Sequence, residues 1–137
     1  MVTPTGPRVL VVEDEAGIRD ILELNLRCAG YRVSSCVDGL TAWQQYEHER
    51  PDLMLLDLNL PQMSGFRLLE LVRSESQTPI VIITAYDFAE AEEVARFRPN
   101  AFVKKPFDPE DVLALIATLI PGSEQDEGPA GRSPSPR

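Results

Sequence analysis

Apolar residues along this chain come in two alternating textures: short unbroken runs, and longer stretches in which they return every third or fourth position. The runs cover residues 8–12, 52–56, 79–84 and 101–103, rich in Val, Ile and Leu, with a weaker fifth at 31–36. Unbroken runs of this length suit strands covered on both faces, because a strand with one wet face would alternate. The periodic stretches read as helices. In the first, starting near Ala16, Ile18, Ile21, Leu22, Leu26 and Ala29 make one stripe with Leu24 off it, and Gly30 supplies a left-handed residue to end it. Asp38 caps a second, with Ala42, Trp43 and Tyr46 inward and Pro51 just past its end. Ser64 caps a third, facing Phe66, Leu69 and Val72 inward. A fourth, rich in Ala and Glu, spans roughly residues 88–97. The fifth opens with Asp108-Pro109 and carries Val112, Leu115, Ile116 and Leu119 on its core face. Five strands alternating with five helices imply right-handed βαβ crossovers and a doubly wound α/β domain, a parallel sheet between two helical layers.

Composition narrows this. With 137 residues, 43% of them hydrophobic and 26% charged, the chain suits one domain, expected at residues 8–120 behind a flexible start at 1–7. Residues 121–137 are Pro, Ser, Gly and charge without periodicity, and read as a disordered tail or linker. The net charge of −9 argues against binding a phosphate backbone, so no nucleic-acid contact is expected of this domain. No apolar run nears the roughly 20 residues that span a bilayer, and the amino terminus lacks a signal pattern. A soluble cytoplasmic protein is expected. Cys28 and Cys36 have no metal-ligand spacing and no histidine nearby, and read as small buried thiols.

Open parallel sheets bind ligands at the carboxyl ends of their strands, so the residues that follow each run carry the chemistry. Here they are Glu13-Asp14-Glu15, Asp57, Thr84 and Lys104-Lys105-Pro106. Clustered carboxylates repel one another, and a hard divalent cation with oxygen ligands relieves them; Mg²⁺ is the natural candidate, with Mn²⁺ as an alternative. Asp57 could attack an activated phosphorus while a lysine and the cation neutralise the transferring group, or the acids could simply bind a cation. Lysine and threonine favour the first, since a site for a cation alone gains nothing from an ammonium.

Together, Val12-Glu13-Asp14-Glu15, Leu56-Asp57-Leu58-Asn59-Leu60-Pro61 with Met63-Ser64-Gly65, Ile83-Thr84-Ala85 and Val103-Lys104-Lys105-Pro106-Phe107 resemble the receiver domains of two-component response regulators. The resemblance implies a flavodoxin-like sheet in the order 2-1-3-4-5. It makes Asp57 the phosphoacceptor, Asp14 a direct Mg²⁺ ligand, Glu13 an acid acting largely through water, and Asn59 the donor of a backbone carbonyl to the metal. Lys105, before a proline usually cis in the family, becomes the phosphate-binding lysine, and Thr84 and Phe102 the pair that switches a face made by the fourth helix, fifth strand and fifth helix. Implied partners are a sensor histidine kinase or histidine phosphotransfer protein and a target or output domain, with a monomer or phosphorylation-dependent dimer as the working state. The chain departs from the family at Arg98-Pro99-Asn100-Ala101, where the interval from Thr84 to Lys105 is about one residue short, and its fifth helix lacks basic residues. Tyr86, two residues after Thr84, is expected to shield the acyl phosphate from water.

Blander readings compete. The Glu13 acids could only favour a helix amino terminus, Asp57 could bond its own loop, and Thr84 and Phe102 could be plain strand residues. None of these accounts for the whole constellation. His48 belongs on a solvated helix face, and Trp43 and Tyr46 in the core. A haloacid dehalogenase-type phosphatase also places a nucleophilic Asp after an apolar strand, but it needs an acid two residues later where this chain has Asn59. Asn59 there argues against turnover of external substrates, and a degenerate receiver serving as a scaffold is disfavoured because no site position is lost.

Overall fold

The computed structural model describes residues 6–85, 92 and 95–122. Tyr86, most of the expected fourth helix and nearly all of the expected tail lie outside the described residues. Strands β1 (Arg8–Val12), β2 (Arg32–Cys36), β3 (Leu53–Asp57), β4 (Ile80–Thr84) and β5 (Ala101–Lys104) alternate with α1 (Ala16–Cys28), α2 (Gly39–Glu49), α3 (Gly65–Glu75) and α4 (Pro109–Leu119). The sheet runs β2-β1-β3-β4-β5, and every neighbouring pair is parallel.

The unbroken runs are explained by two cores, one on each face. Successive strand residues point to opposite sides. Leu10, Val12, Met54, Leu56, Ile80 and Ile82 meet Ala42, Tyr46, Leu68, Leu69 and Val72 from α2 and α3. Val9, Val11, Leu53, Leu55, Val81 and Ile83 meet Leu22 and Leu26 of α1 and Val112 and Ile116 of α4. β3 and β4 are buried from end to end, so the residues at their carboxyl ends are held by walls that cannot shift cheaply.

Local signals set where the helices begin and end. Asp38 accepts from the Thr41 amide at 2.7 Å, Ser64 from Arg67 at 3.2 Å and Asp108 from Glu110 at 2.9 Å. Each such cap is worth about 1 kcal/mol. Gly30 turns the chain at φ 97°, and the Tyr31 amide closes back on the Leu26 carbonyl at 3.1 Å.

Three expectations need correction. Ile21 is 48% exposed, because it sits about 100° round the helix from Leu22, at the rim of the buried stripe. Cys28 is exposed at the end of α1, whereas Cys36 is buried as expected. On α3 the buried set includes Leu68, which the three- and four-residue spacing had passed over, while Phe66 is only partly covered.

Candidate functional site

The carboxyl ends of β1 and β3 lie side by side, because Val12 pairs with Leu56. Glu13 and Asp57 follow or end those strands and are buried at 1% and 4% exposure, while Asp14, one step further out, is exposed. One ligand oxygen from each of Glu13, Asp14 and Asp57 lies within 4.8 Å of the others. Lys105 enters from the turn after β5, its Nζ 3.0 Å from Asp57 Oδ2 and 3.2 Å from Glu13 Oε1. The peptide between Lys105 and Pro106 is cis.

Main-chain groups fix the carboxylates. The Asn59 amide donates to Asp57 Oδ1 at 3.0 Å, and the Glu15 amide donates to Glu13 Oε2 at 3.1 Å. Two glycines let the loop after β3 seat closely. A Cβ at Gly65 would stand 2.5 Å from Leu58 Cα and 2.7 Å from the Asp57 carbonyl oxygen, and one at Gly39 would stand 1.9 Å from the Met63 carbonyl oxygen. The start of α3 therefore abuts the strand end that carries Asp57, and the start of α2 abuts the loop beyond it.

Electrostatics mark the cluster as incomplete. Burial, aided by the charge of Asp57, pushes the Glu13 carboxyl up to about 7, although the Glu15 amide and Lys105 pull it down. Burial pulls the Lys105 ammonium down, but the hydrogen bond and charge of Asp57, with the charge of Glu13, outweigh it and leave its pKa raised. Glu13 Oε1 is within ion-pair distance of Lys105 but outside hydrogen-bonding geometry; among the described residues it is the one buried side-chain polar atom with no hydrogen-bond partner. Three carboxylates with an unpartnered oxygen fit a hard divalent cation, which takes oxygen ligands and would offset their repulsion.

Of the residues singled out from the sequence, Asp14, Asp57, Asn59 and Lys105 line one hollow of about 510 Å³, with Glu15 and Ala85 completing its wall. Glu13 is buried and is not part of that wall. Thr84 ends β4 in a buried position, and its carbonyl accepts from the Lys105 amide at 2.9 Å. Phe102 sits on β5 opposite Ile82 and is 38% exposed, and Lys104 is exposed.

Two arginines escaped the sequence reading. Arg73, at the end of α3, donates to the carbonyls of Phe97, Thr78 and Arg98 at 2.7–3.1 Å and to Asn100 Oδ1 at 3.2 Å. Burial, then the nearby Arg98, lowers its pKa. Asn100 Oδ1 also accepts from the Ile80 amide at 2.9 Å, so this pair pins the shortened approach to β5. Arg19 Nη1 donates to the Glu13 carbonyl at 3.0 Å. Bonds from side chain to distant main chain leave no periodic trace in a sequence.

The profile of the response regulator receiver domain family matches residues 9–117. Over 117 residues the chain is 35% identical to a probable transcriptional regulator, ycf27, of Guillardia theta, covering 85% of this chain and 46% of that protein. The chain spans about half the length of the curated relatives it matches. Among solved structures, the chemotaxis response regulator CheY4 of Vibrio cholerae superposes with TM-score 0.77 at 32% identity, over 85% of this chain and all of that one. The receiver domain of sensor histidine kinase PA1611 from Pseudomonas aeruginosa PAO1, solved with a magnesium ion in its active-site cleft, gives 0.77 at 28% identity, over 84% of this chain and 98% of that one.

Proposed function

The chain belongs to the response regulator receiver family, and we propose that it takes a phosphoryl group onto Asp57 from a histidine kinase or histidine phosphotransfer protein. The observation that carries this reading is a buried strand-end carboxylate with an ammonium 3.0 Å away, beside the two further acids Glu13 and Asp14. An arriving phosphoryl group adds negative oxygens to a pocket already crowded with them, and a lysine held among carboxylates suits that load.

In this reading a carboxylate oxygen of Asp57 attacks phosphorus, and the bond from phosphorus to the donor nitrogen breaks. The electron pair leaves on the imidazole, and an acyl phosphate remains. The Asn59 amide orients the nucleophile through Oδ1, and Lys105, bonded to Oδ2, neutralises the transferring group. Thr84 donates its hydroxyl to a phosphoryl oxygen from the adjacent strand. Glu13, Asp14, Asp57 and the backbone carbonyl of Asn59 would hold Mg²⁺, or Mn²⁺, which when bound supplies charge neutralisation at the phosphoryl oxygens. Thr84 and the half-exposed Phe102 then act as the pair that switches the surface around β5.

The product is a signal, not a released substrate, so turnover of external phosphoesters is not part of the role. The signal goes to a separate target or an output domain, and the domain works as a monomer or a phosphorylation-dependent dimer in the cytoplasm. Among the described residues no helix is long and apolar enough to cross a membrane. The net charge of −9 disfavours direct nucleic-acid contact by this domain. Incubation with a small phosphodonor and Mg²⁺ should give an acid-stable, hydroxylamine-labile adduct that is absent from Asp57→Asn. An adduct that persists in that variant would remove Asp57 from its role.

A further inference from the structure

α1 begins differently from the other described helices: its N-cap residue, Glu15, makes no side-chain cap. The turn before it is held by three other bonds. The Glu13 amide donates to the Cys36 carbonyl at 3.1 Å, the Glu15 amide to Glu13 Oε2 at 3.1 Å, and Arg19 Nη1 to the Glu13 carbonyl at 3.0 Å. The third is the unexpected one. Arg19 has Glu15 and Glu23 four residues away on either side, the spacing at which helical ion pairs form, yet it pairs with neither. Glu23 instead pairs with Arg27 and accepts from the Ser35 hydroxyl, and Glu15 lines the acidic hollow.

A peptide unit is planar, so fixing the Glu13 carbonyl oxygen also fixes the Asp14 amide and the place of the Asp14 Cα from which its side chain starts. On the other side of the same residue, the Glu13 carboxylate is tied to the Glu15 amide. We infer that Arg19 is a positioning residue of the cation site: its bond to the Glu13 carbonyl holds the Glu13–Asp14 peptide so that both carboxylates present oxygens to one divalent cation. This rests on reading the site as a cation-dependent phosphoryl acceptor. Arg19 touches neither donor nor cation; it acts through the main chain between two ligand residues.

The test is calorimetric titration of the full chain with Mg²⁺ in wild type, Arg19→Ala and Arg19→Lys, beside phosphorylation rates by a small phosphodonor across Mg²⁺ concentrations. Groups that orient metal ligands typically change metal affinity by about tenfold or more when removed, and a loss of about tenfold is expected for Arg19→Ala. Arg19→Lys should fall between, since an ammonium can donate one bond to the same carbonyl. In the rate data, the Mg²⁺ concentration for half-maximal phosphorylation should rise by the same factor, with the loss recovered at high Mg²⁺. Unchanged Mg²⁺ affinity in a folded Arg19→Ala protein would overturn the inference. So would a rate loss that no amount of Mg²⁺ recovers. If the alanine variant does not fold, Arg19→Met, which keeps the aliphatic stem and has no donor, decides: a loss of about tenfold supports the inference and wild-type affinity there overturns it. A wild-type protein that neither binds Mg²⁺ nor forms the adduct would instead overturn the reading of the site itself.

Discussion

The two ends of the sheet both carry charged side chains and treat them in opposite ways. At the amino edge, polar groups around the strand starts are paired. The Arg8 amide donates to Asp52 at 2.8 Å, Arg32 Nε to the Gly6 carbonyl at 2.8 Å, and the Tyr31 hydroxyl to the Ile120 carbonyl at 2.7 Å. At the carboxyl edge, two buried acids share one lysine and an oxygen is left over. Pairing acids with donors stabilises the fold, whereas crowding buried acids costs stability until a ligand arrives. One edge holds the domain shut, and the other is held ready.

The largest expected break in this contrast comes from Glu13. Burial raises its folded-state carboxyl to about 7 against an ordinary 4.5, so the fold favours the neutral form below about pH 7. The stability it contributes is complete below about 4.5 and is lost as pH rises towards 7. Metal-free protein should therefore lose urea stability across that window, and Mg²⁺ should restore more at pH 8 than at pH 5, because the ligands must be ionised. Glu13→Gln should flatten the pH slope and gain about 1–3 kcal/mol at pH 8 without metal, while weakening Mg²⁺ binding. A metal-free Glu13→Gln protein less stable than wild type would mean that the carboxyl edge is as settled as the other.

Tyr31→Phe probes the amino edge. Losing one buried hydrogen bond should cost about 1 kcal/mol in urea unfolding and speed amide exchange at the end of α4, with Mg²⁺ affinity unmoved. A shift in Mg²⁺ affinity would reveal coupling across the sheet. The smallest effect is read at the thiols. Exposed Cys28 should label quickly at pH 8. Cys36, whose thiol burial and then the charges of Asp38 and Glu49 push up to about 11, stays protonated and should label only as the fold opens. Because the Cys36 carbonyl accepts from the Glu13 amide, Mg²⁺ should slow that labelling further.

What the sequence disclosed follows from what leaves a local trace. Strands buried on both faces spell unbroken apolar runs, and caps at Asp38, Ser64 and Asp108 announce themselves by type and place. The meeting of Asp57 and Lys105 at the strand ends was legible for the same reason, since both abut the runs that position them. Ile21 was misjudged because an apolar residue at the rim of a stripe has the spacing of one inside it. Arg73 and Arg19 were invisible because each acts on carbonyls, and every residue has one of those. The resemblance flagged the shortened stretch before β5 as unusual; only the geometry shows Asn100 and Arg73 bridging it.

The bonds of Arg32 to Gly6 and Tyr31 to Ile120 have a topological consequence. Gly6, Pro7, Leu119, Ile120 and Pro121 line one hollow of about 420 Å³, so the described chain enters and leaves the domain through a single doorway. Domains whose ends meet tolerate being spliced into longer chains or cut open elsewhere and rejoined. A short bridge across this doorway would make a circular permutant of the receiver with its acidic hollow, at the far end of the strands, undisturbed.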